Sequence, residues 1–330
     1  MRPAEFDLIA RICARAGRLQ SMQRGGVVLG IGDDAALLQV PAGMQLAVAM
    51  DTLNAGVHFP EATAPANIGW KALAVNLSDL AAMGALPAWC TLSLSLPDAD
   101  AGFVEGFLDG FLALAAQHGV ALVGGDTTRG PLSVCVTVHG LIEPGQALRR
   151  DGARVGDEVW VSGTLGDAAG ALAQATKEGQ VHVAEASEPA PFLRARLDRP
   201  TPRIALGRAL RGIAHACIDV SDGLLADLGH VCTASGVGAQ IDVDLLPASQ
   251  ALRMAFDLEQ RRALQASGGD DYELCFSAAP DAHAAVLAAA AEAGTVVTRI
   301  GVTTTGDGVI ASDAGGSPWS AATSGWIHFG

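Results

Sequence analysis

The placement of the aspartates limits most strongly what this chain can become. Asp33 and Asp34 lie in VVLGIGDDAALL, Asp51 in LAVAMDTL, Asp79 in ALAVNLSDLAAMGA and Asp126 in VALVGGDTTRG. Asp219 and Asp222 lie in ACIDVSDGLL, and Asp270 and Asp271 in ASGGDDYELCF. Each follows or interrupts an apolar stretch, and most have a glycine close by. Short apolar runs closed by glycine or a turn signal read as buried strands. The aspartates then project from strand ends and from the turns that follow them.

An ionised carboxylate beside a dry interior costs on the order of several kcal/mol unless it is paired or metal-bound. Cationic partners are scarce, with 21 Lys plus Arg against 35 Asp plus Glu and a net charge of −14. Hard oxygen donors with no nearby His or Cys cluster suit magnesium, calcium or manganese rather than zinc. Taken singly, each aspartate reads better as an N-cap or an Asx turn. Together the apolar-flanked acids favour a shared site for divalent cations.

The same charge argues against nonspecific binding to nucleic acid or an anionic membrane, since both attract basic patches. Lys71 and Lys177 are the only lysines, and neither follows a glycine, so the chain has no G-x-x-x-x-G-K-[ST] phosphate loop. Phosphate would have to be met by arginine, backbone N–H groups or metal. The six cysteines never form C-x-x-C and read as small hydrophobes rather than a zinc or disulfide frame. The N-terminus has the alternation of an amphipathic helix, and no apolar run reaches the roughly 18 residues of a membrane span. These features predict a soluble, cytoplasmic protein.

Periodicity predicts a helix near 3–20, then a hairpin of strand 35–40, a Pro41-Ala42-Gly43 turn and a strand to Asp51. A loop with His58 leads to a helix over 66–83. There Asn76 and Asp79 share one face, and Trp70, Leu73, Leu77 and Leu80 form an apolar stripe on another. Asn76 with Asp79 suits a ligand pair, and a helix–helix polar contact explains it nearly as well. Strand 89–96, helix 102–118 and strands 120–123 and 132–142 complete a first α/β unit ending at Glu143-Pro144-Gly145. A second unit follows with strands at 158–162, 216–220, 239–243, 272–277 and 296–302. Its helices are expected at 166–176, 203–211, 222–233 and 281–293, and 179–202 reads as a polar connecting segment. The predicted fold class is mixed α/β in two domains, 1–145 and 146–330.

GIGDDA matches G-x-G-x-x-A at Gly30–Ala35. Two carboxylates there would repel a bare pyrophosphate, and the required helix does not follow, which excludes a dinucleotide fold. Gly124–Gly130, GGDTTRG, follows a short apolar strand and suits anion contacts plus a metal-binding carboxylate, although taken alone it reads better as a plain glycine turn. In DVSDG, Ser221 or Asp222 is expected to open the next helix, offering its N-terminus to a metal-bridged phosphate. Arg149 and Arg150 are either phosphate contacts or a solvated pair. A lone His58 is by default structural. Trp326, in the aromatic tail GWIHF, either docks on the core or stacks on a planar ligand.

In order along the chain, GIGDDAALL, DTL…GVHF, KALAVNLSDLAAMGA, GGDTTRGPL, RRDGARVGD, VSGTLGDAAGAL, DVSDGLLADLGH, SGGDDYELCF and GWIHF resemble the thiamine-monophosphate kinase family. That family lies within the superfamily of aminoimidazole ribonucleotide synthetase and selenophosphate synthetase. The resemblance implies an N-terminal mixed sheet with helices that dimerises, and a C-terminal α/β sandwich. It also implies ATP held with several Mg2+ ions in a cleft near the dimer interface.

Carried over motif by motif, Asp34, Asp51, Asp79, Asp126, Asp219 and Asp222 would be metal ligands, with Asp79, Asp126 and Asp222 assisting the transfer itself. Gly125, Asp126, Arg150 and Ser221 would contact ATP, and His58, Asp270 and Trp326 thiamine monophosphate. Two positions depart from the family pattern. Ala49 and Met50 stand where hydroxyl residues commonly precede DTL, and Asp270 replaces the first acid of GGEDYEL, one methylene shorter. The implied reaction is direct in-line transfer of the ATP γ-phosphoryl group to thiamine monophosphate, without a covalent intermediate, as the last step of thiamine diphosphate synthesis. Another ATP-using synthetase of the superfamily, or a noncatalytic magnesium or nucleotide sensor, would also accommodate the acidic pattern.

Overall fold

The computed structural model describes residues 5–20, 25–178, 190–322 and 325. The chain divides into two compact units, Met1–Leu80 with Ala85–Gly145, and Ala81–Gly84 with Gln146–Gly330.

The first unit runs α1 (Glu5–Gln20), β1 (Val27–Leu29), β2 (Leu37–Leu38), β3 (Gln45–Asn54), α2 (Pro65–Ala82), β4 (Leu86–Leu96), α3 (Ala101–His118), β5 (Ala121–Arg129) and β6 (Ser133–Ile142). Its four-stranded sheet has the order β3-β6-β4-β5. β4 and β5 pair in parallel around the α3 crossover, and the other neighbours are antiparallel. α3 starts where the Asp100 carboxylate accepts the Gly102 and Phe103 N–H groups, and stops at Gly119 with φ 64°.

Two sequence expectations change here. No hairpin joins 35–40 to 43–51: β2 pairs with β1, while β3 pairs with β6 along its whole length, from Gln45↔Ile142 to Asn54↔Ser133. Alternation identifies a strand but not its partner, and a two-residue β2 cannot compete with a ten-residue β6. α2 is also covered on far more than one stripe, with Ile68, Leu73 and Leu77 buried and Asn76 and Ser78 buried equally. Its crossing with α3 leaves no room for side chains at two points. A Cβ on Gly69 would stand 2.0 Å from the Phe107 carbonyl oxygen, and one on Gly110 1.7 Å from that of Ala66.

β3 is one of the two edge strands, and Leu46, Val48 and Met50 form an alternating apolar row on it, 43%, 57% and 61% exposed. An apolar edge of this kind calls for cover.

The second unit runs β7 (Glu158–Ser162), α4 (Asp167–Glu178), α5 (Ala190–Asp198), α6 (Ile204–Ala209), β8 (Ala214–Val220), α7 (Leu224–Ser235), β9 (Gly238–Asp242), α8 (Gln250–Ala255), α9 (Leu258–Ser267), β10 (Glu273–Ala278), α10 (His283–Glu292), β11 (Val297–Thr304), β12 (Val309–Ser312) and β13 (Pro318–Trp319). The seven strands lie in the order β13-β12-β9-β11-β7-β10-β8. Only β9 and β12 pair in parallel. β7 and β10 are buried at every position, which explains their nearly unbroken apolar sequences. Val159, Val161, Ile218, Val220, Leu224 and Leu228 belong to the main core.

Within the segment expected to be only a polar connection, 179–189 lie outside the described residues and Ala190–Asp198 is helical. Leu193 and Leu197, four apart, seat α5 in a small core with Leu252 and Phe256. Its Arg196 reaches Glu273, which is 0% exposed at the start of β10. Arg203 meets the same carboxylate through two nitrogens, and the Ser162 hydroxyl donates to it at 2.5 Å.

Candidate functional site

In the first unit, Gly125 sits in β5 with φ 153°, and a Cβ there would stand 1.8 Å from the Leu92 carbonyl oxygen. Only glycine fits, which leaves the backbone bare beside Asp126. Asp126 is exposed and its carboxylate accepts the Thr127 N–H at 2.9 Å. An apolar cavity of about 100 Å3 adjoins this segment, walled by Ile9, Ile12, Cys13 and Leu122. It is smaller than the roughly 300 Å3 at which ligand pockets begin.

Asp51 on β3 is half-buried, and its N–H donates to Asn76 Oδ1 at 2.9 Å. Asn76 Nδ2 donates to the Ala72 carbonyl at 2.9 Å. The Asn76 amide therefore fastens α2 to β3, and neither alternative drawn from the sequence describes it. Asp79, half-buried, lies three residues on along the same helix face. Asp33 and Asp34 are both exposed between β1 and β2, with Asp33 accepting the Asp34 N–H at 2.8 Å. Asp34 and Asp126 thus escape the desolvation argument that drew attention to them, whereas Asp219, at 5% exposure, meets it.

His58 occupies a tight loop after β3. Its Nδ1 accepts the Asn54 N–H at 3.0 Å, which assigns the proton of the neutral ring to Nε2. Lys71 Nζ, reaching out of α2, donates to the His58 carbonyl at 3.0 Å. Lys71 is 2% exposed and was not among the expected site residues. A lysine in an apolar helical stretch was the available signal.

The second unit corrects the reading of DVSDG. Neither Ser221 nor Asp222 caps α7; Gly223 stands at the N-cap with φ 124° and no side-chain bond. Asp227, one turn inside the helix, turns back instead. Its Oδ2 accepts the Ser221, Asp222 and Gly223 N–H groups at 3.0, 3.1 and 3.1 Å. The amides expected to meet phosphate are already taken by a carboxylate. Burial, and then the charges of Asp219 and Asp222, push the Asp227 pKa up to about 7. Asp219 and Asp222 thus bear electrostatically on Asp227 at the end of β8, an acidic field that a hard cation would relieve. Its sequence signal was an acid in the first turn of the helix. Asp227→Ala leaves three amides unclaimed. It is expected to lower stability by about 2 kcal/mol, read by thermal melting.

Facing this loop is the segment before β10. The Asp270 N–H donates to the Ser221 carbonyl and the Tyr272 N–H to the Val220 carbonyl, both at 2.8 Å. Asp270 and Tyr272 both have positive φ, 68° and 49°, a conformation that costs non-glycine residues about 1–3 kcal/mol each. Between them Asp271 is buried and accepts the Gly166 N–H at 2.8 Å. Burial holds its pKa well above the usual carboxylate range. The Tyr272 hydroxyl donates to Asp270 Oδ1 at 3.0 Å.

Arg149 is bound to Asp151 through two nitrogens, at 2.7 and 2.5 Å. Arg150 is exposed, and among the described residues its guanidinium has no hydrogen-bond or ion-pair partner, so it is the member of the pair available to an anion. Trp326 lies outside the described residues.

Among the described residues no three His, Cys, Asp or Glu side chains are grouped closely enough to form a metal cage. The donors are nevertheless hard oxygens, and cations of this class commonly complete their shells with water and substrate phosphate. No helix among the described residues is long and apolar enough to cross a membrane.

The model of the AIR synthase related protein N-terminal domain matches residues 32–142, and that of the C-terminal domain residues 154–313. Thiamine-monophosphate kinase of Salmonella typhimurium is 48% identical over 301 residues, covering 91% of this chain and 90% of the relative. The crystal structure of thiamine-monophosphate kinase from Stenotrophomonas maltophilia superposes with a TM-score of 0.86 at 55% identity, covering 97% of this chain and 99% of that one. AaThiL complexed with AMPPCP and TMP superposes with a TM-score of 0.75 at 32% identity, covering 100% and 99%.

Proposed function

This chain belongs to the thiamine-monophosphate kinase family of AIR synthase-related proteins, and we propose how its own residues carry out ATP-dependent phosphorylation of thiamine monophosphate. The products are thiamine diphosphate and ADP. The observation that best supports the reading is full-length similarity to a structure complexed with AMPPCP and TMP.

The acceptor is an ionised phosphate oxygen, so the reaction needs neither a strong general base nor a nucleophilic side chain. Its difficulty is bringing two polyanions into line, which makes positioning and electrostatics the main contributions of the protein. Asp34, Asp51, Asp79 and Asp126 in the first unit would hold magnesium, and so would Asp219 and Asp222 in the second. A cation held by these carboxylates would supply charge that offsets repulsion between the phosphates and on the transferring group.

Gly125 lets phosphate approach the backbone, and Ser221 presents its hydroxyl from a loop whose amides Asp227 fixes. Arg150 supplies a planar cation suited to phosphate oxygens. His58, oriented by the Asn54 amide, presents Nε2–H as a donor to the substrate. Asp270 offers a carboxylate acceptor, suited to the amino group or the cationic ring of thiamine monophosphate.

The functional form is a homodimer joined through the β3 edge. The exposed row of Leu46, Val48 and Met50 supports this, since an isolated apolar edge strand is a liability. Val48→Asp is expected to convert the dimer to monomer in sedimentation velocity while far-UV circular dichroism is unchanged; an unaltered dimer contradicts this interface.

Product analysis tests the activity. Protein incubated with ATP, Mg2+ and thiamine monophosphate is expected to give equimolar thiamine diphosphate and ADP, with none after chelation of the metal. ADP without thiamine diphosphate overturns the reading.

A further inference from the structure

The Tyr272 hydroxyl bonds a side chain only two residues away, and the backbone has to bend for it to do so. In an extended strand, residues 270 and 272 would project side by side from one face. A tyrosine hydroxyl would then overshoot a short aspartate. Here positive φ at both positions curls the segment, and the phenol donates to Asp270 Oδ1 at 3.0 Å. Tyr272 is 8% exposed, so its ring is fixed by packing, and it is the only tyrosine in the chain. The curl is fastened on both sides. The N–H groups of residues 270 and 272 are tied to the carbonyls of Ser221 and Val220, and Asp271 is anchored on the Gly166 amide.

We propose that Tyr272 is a positioning residue for substrate recognition, its hydroxyl fixing the Asp270 carboxylate in the orientation that receives the thiamine moiety. The proposal rests on the reading of Asp270 as a substrate contact. Tyr272 together with the pinned backbone gives the Asp270 carboxylate a fixed aim. A preorganised acceptor binds more tightly than one that must lose rotamer freedom on binding.

Tyr272→Phe removes the hydroxyl and keeps the ring, so it isolates the bond. It is expected to raise KM for thiamine monophosphate about five- to tenfold. KM for ATP and kcat stay within about twofold, since a uniform binding contact moves KM alone. KM does not depend on how much of the protein is active, so partial unfolding of the variant does not obscure the result. Asp270→Ala is expected to raise KM for thiamine monophosphate at least as far, and adding Tyr272→Phe to it changes nothing further. If Tyr272→Phe leaves KM unchanged while Asp270→Ala raises it, the positioning role is overturned and the substrate contact stands. If the two effects multiply independently, the positioning role is likewise overturned. If Asp270→Ala itself leaves KM unchanged, the substrate contact fails, and the positioning role with it.

Discussion

Asp126→Asn lowers kcat by about a hundred- to a thousandfold and leaves the protein folded. The side chain is exposed on β5, and its recorded contact is the N–H of the next residue, which an asparagine oxygen accepts equally well. Shape and local hydrogen bonding survive the substitution, and only the negative charge is lost. If that charge holds magnesium at the reacting phosphates, its removal weakens transition-state stabilisation and metal affinity together. The loss is then partly relieved at high Mg2+. An unchanged melting temperature with near-normal turnover would remove Asp126 from the metal set. Asp79→Asn is expected to behave in the same way.

Glu273→Ala unfolds the second unit far more readily than any substitution at the exposed acids. Its carboxylate is fully buried between Arg196, Arg203 and Ser162. Burial alone would lower the Arg203 pKa; the bond and the charge of Glu273 more than reverse this and raise it, as expected for a guanidinium held by a carboxylate. Removing the carboxylate leaves two largely but not fully buried arginines, 14% and 19% exposed, without their shared counter-charge. Breaking a buried pair in this way typically costs about 3–5 kcal/mol. For a unit of this size that corresponds to a fall in melting temperature of about 10 °C. Calorimetry reads the shift directly, and a change below about 2 °C would show that the network contributes little.

Much of the architecture was legible because β4, β7, β8 and β10 are apolar runs, and α3 carries both its Asp100 cap and its Gly119 stop. Pairing was less legible. The period of β3 marks it as a strand with two unlike faces, but nothing local says that its partner is β6, whose paired residues lie 97 positions on at Gln45↔Ile142 and 79 at Asn54↔Ser133. The α5 helix was hidden because only Leu193 and Leu197 are packed inward while Phe192 and Ala195 stay exposed, which blurs the apolar period.

The motifs located the candidate residues, but not what each side chain does. Asn76 shares a face with Asp79, yet its amide is used on the Asp51 backbone. Asp227 resembles an ordinary acid in the first turn of a helix until its carboxylate is found on three amides of the preceding loop. Lys71, one of only two lysines, supports the His58 loop from inside α2. In each case a specific contact, four to twenty-five residues away along the chain, assigns the role, and the residue types alone do not give it.

The central claim is that the strand-end aspartates hold the metal that makes the phosphoryl transfer possible. Anomalous diffraction from crystals grown with Mn2+, a nonhydrolysable ATP analogue and thiamine monophosphate tests it most directly. The account predicts manganese peaks within about 2.0–2.4 Å of carboxylate oxygens of Asp79, Asp126 and Asp219 or Asp222, shared with phosphate oxygens. Peaks bound only by phosphate and water, with those carboxylates directed elsewhere, would contradict it.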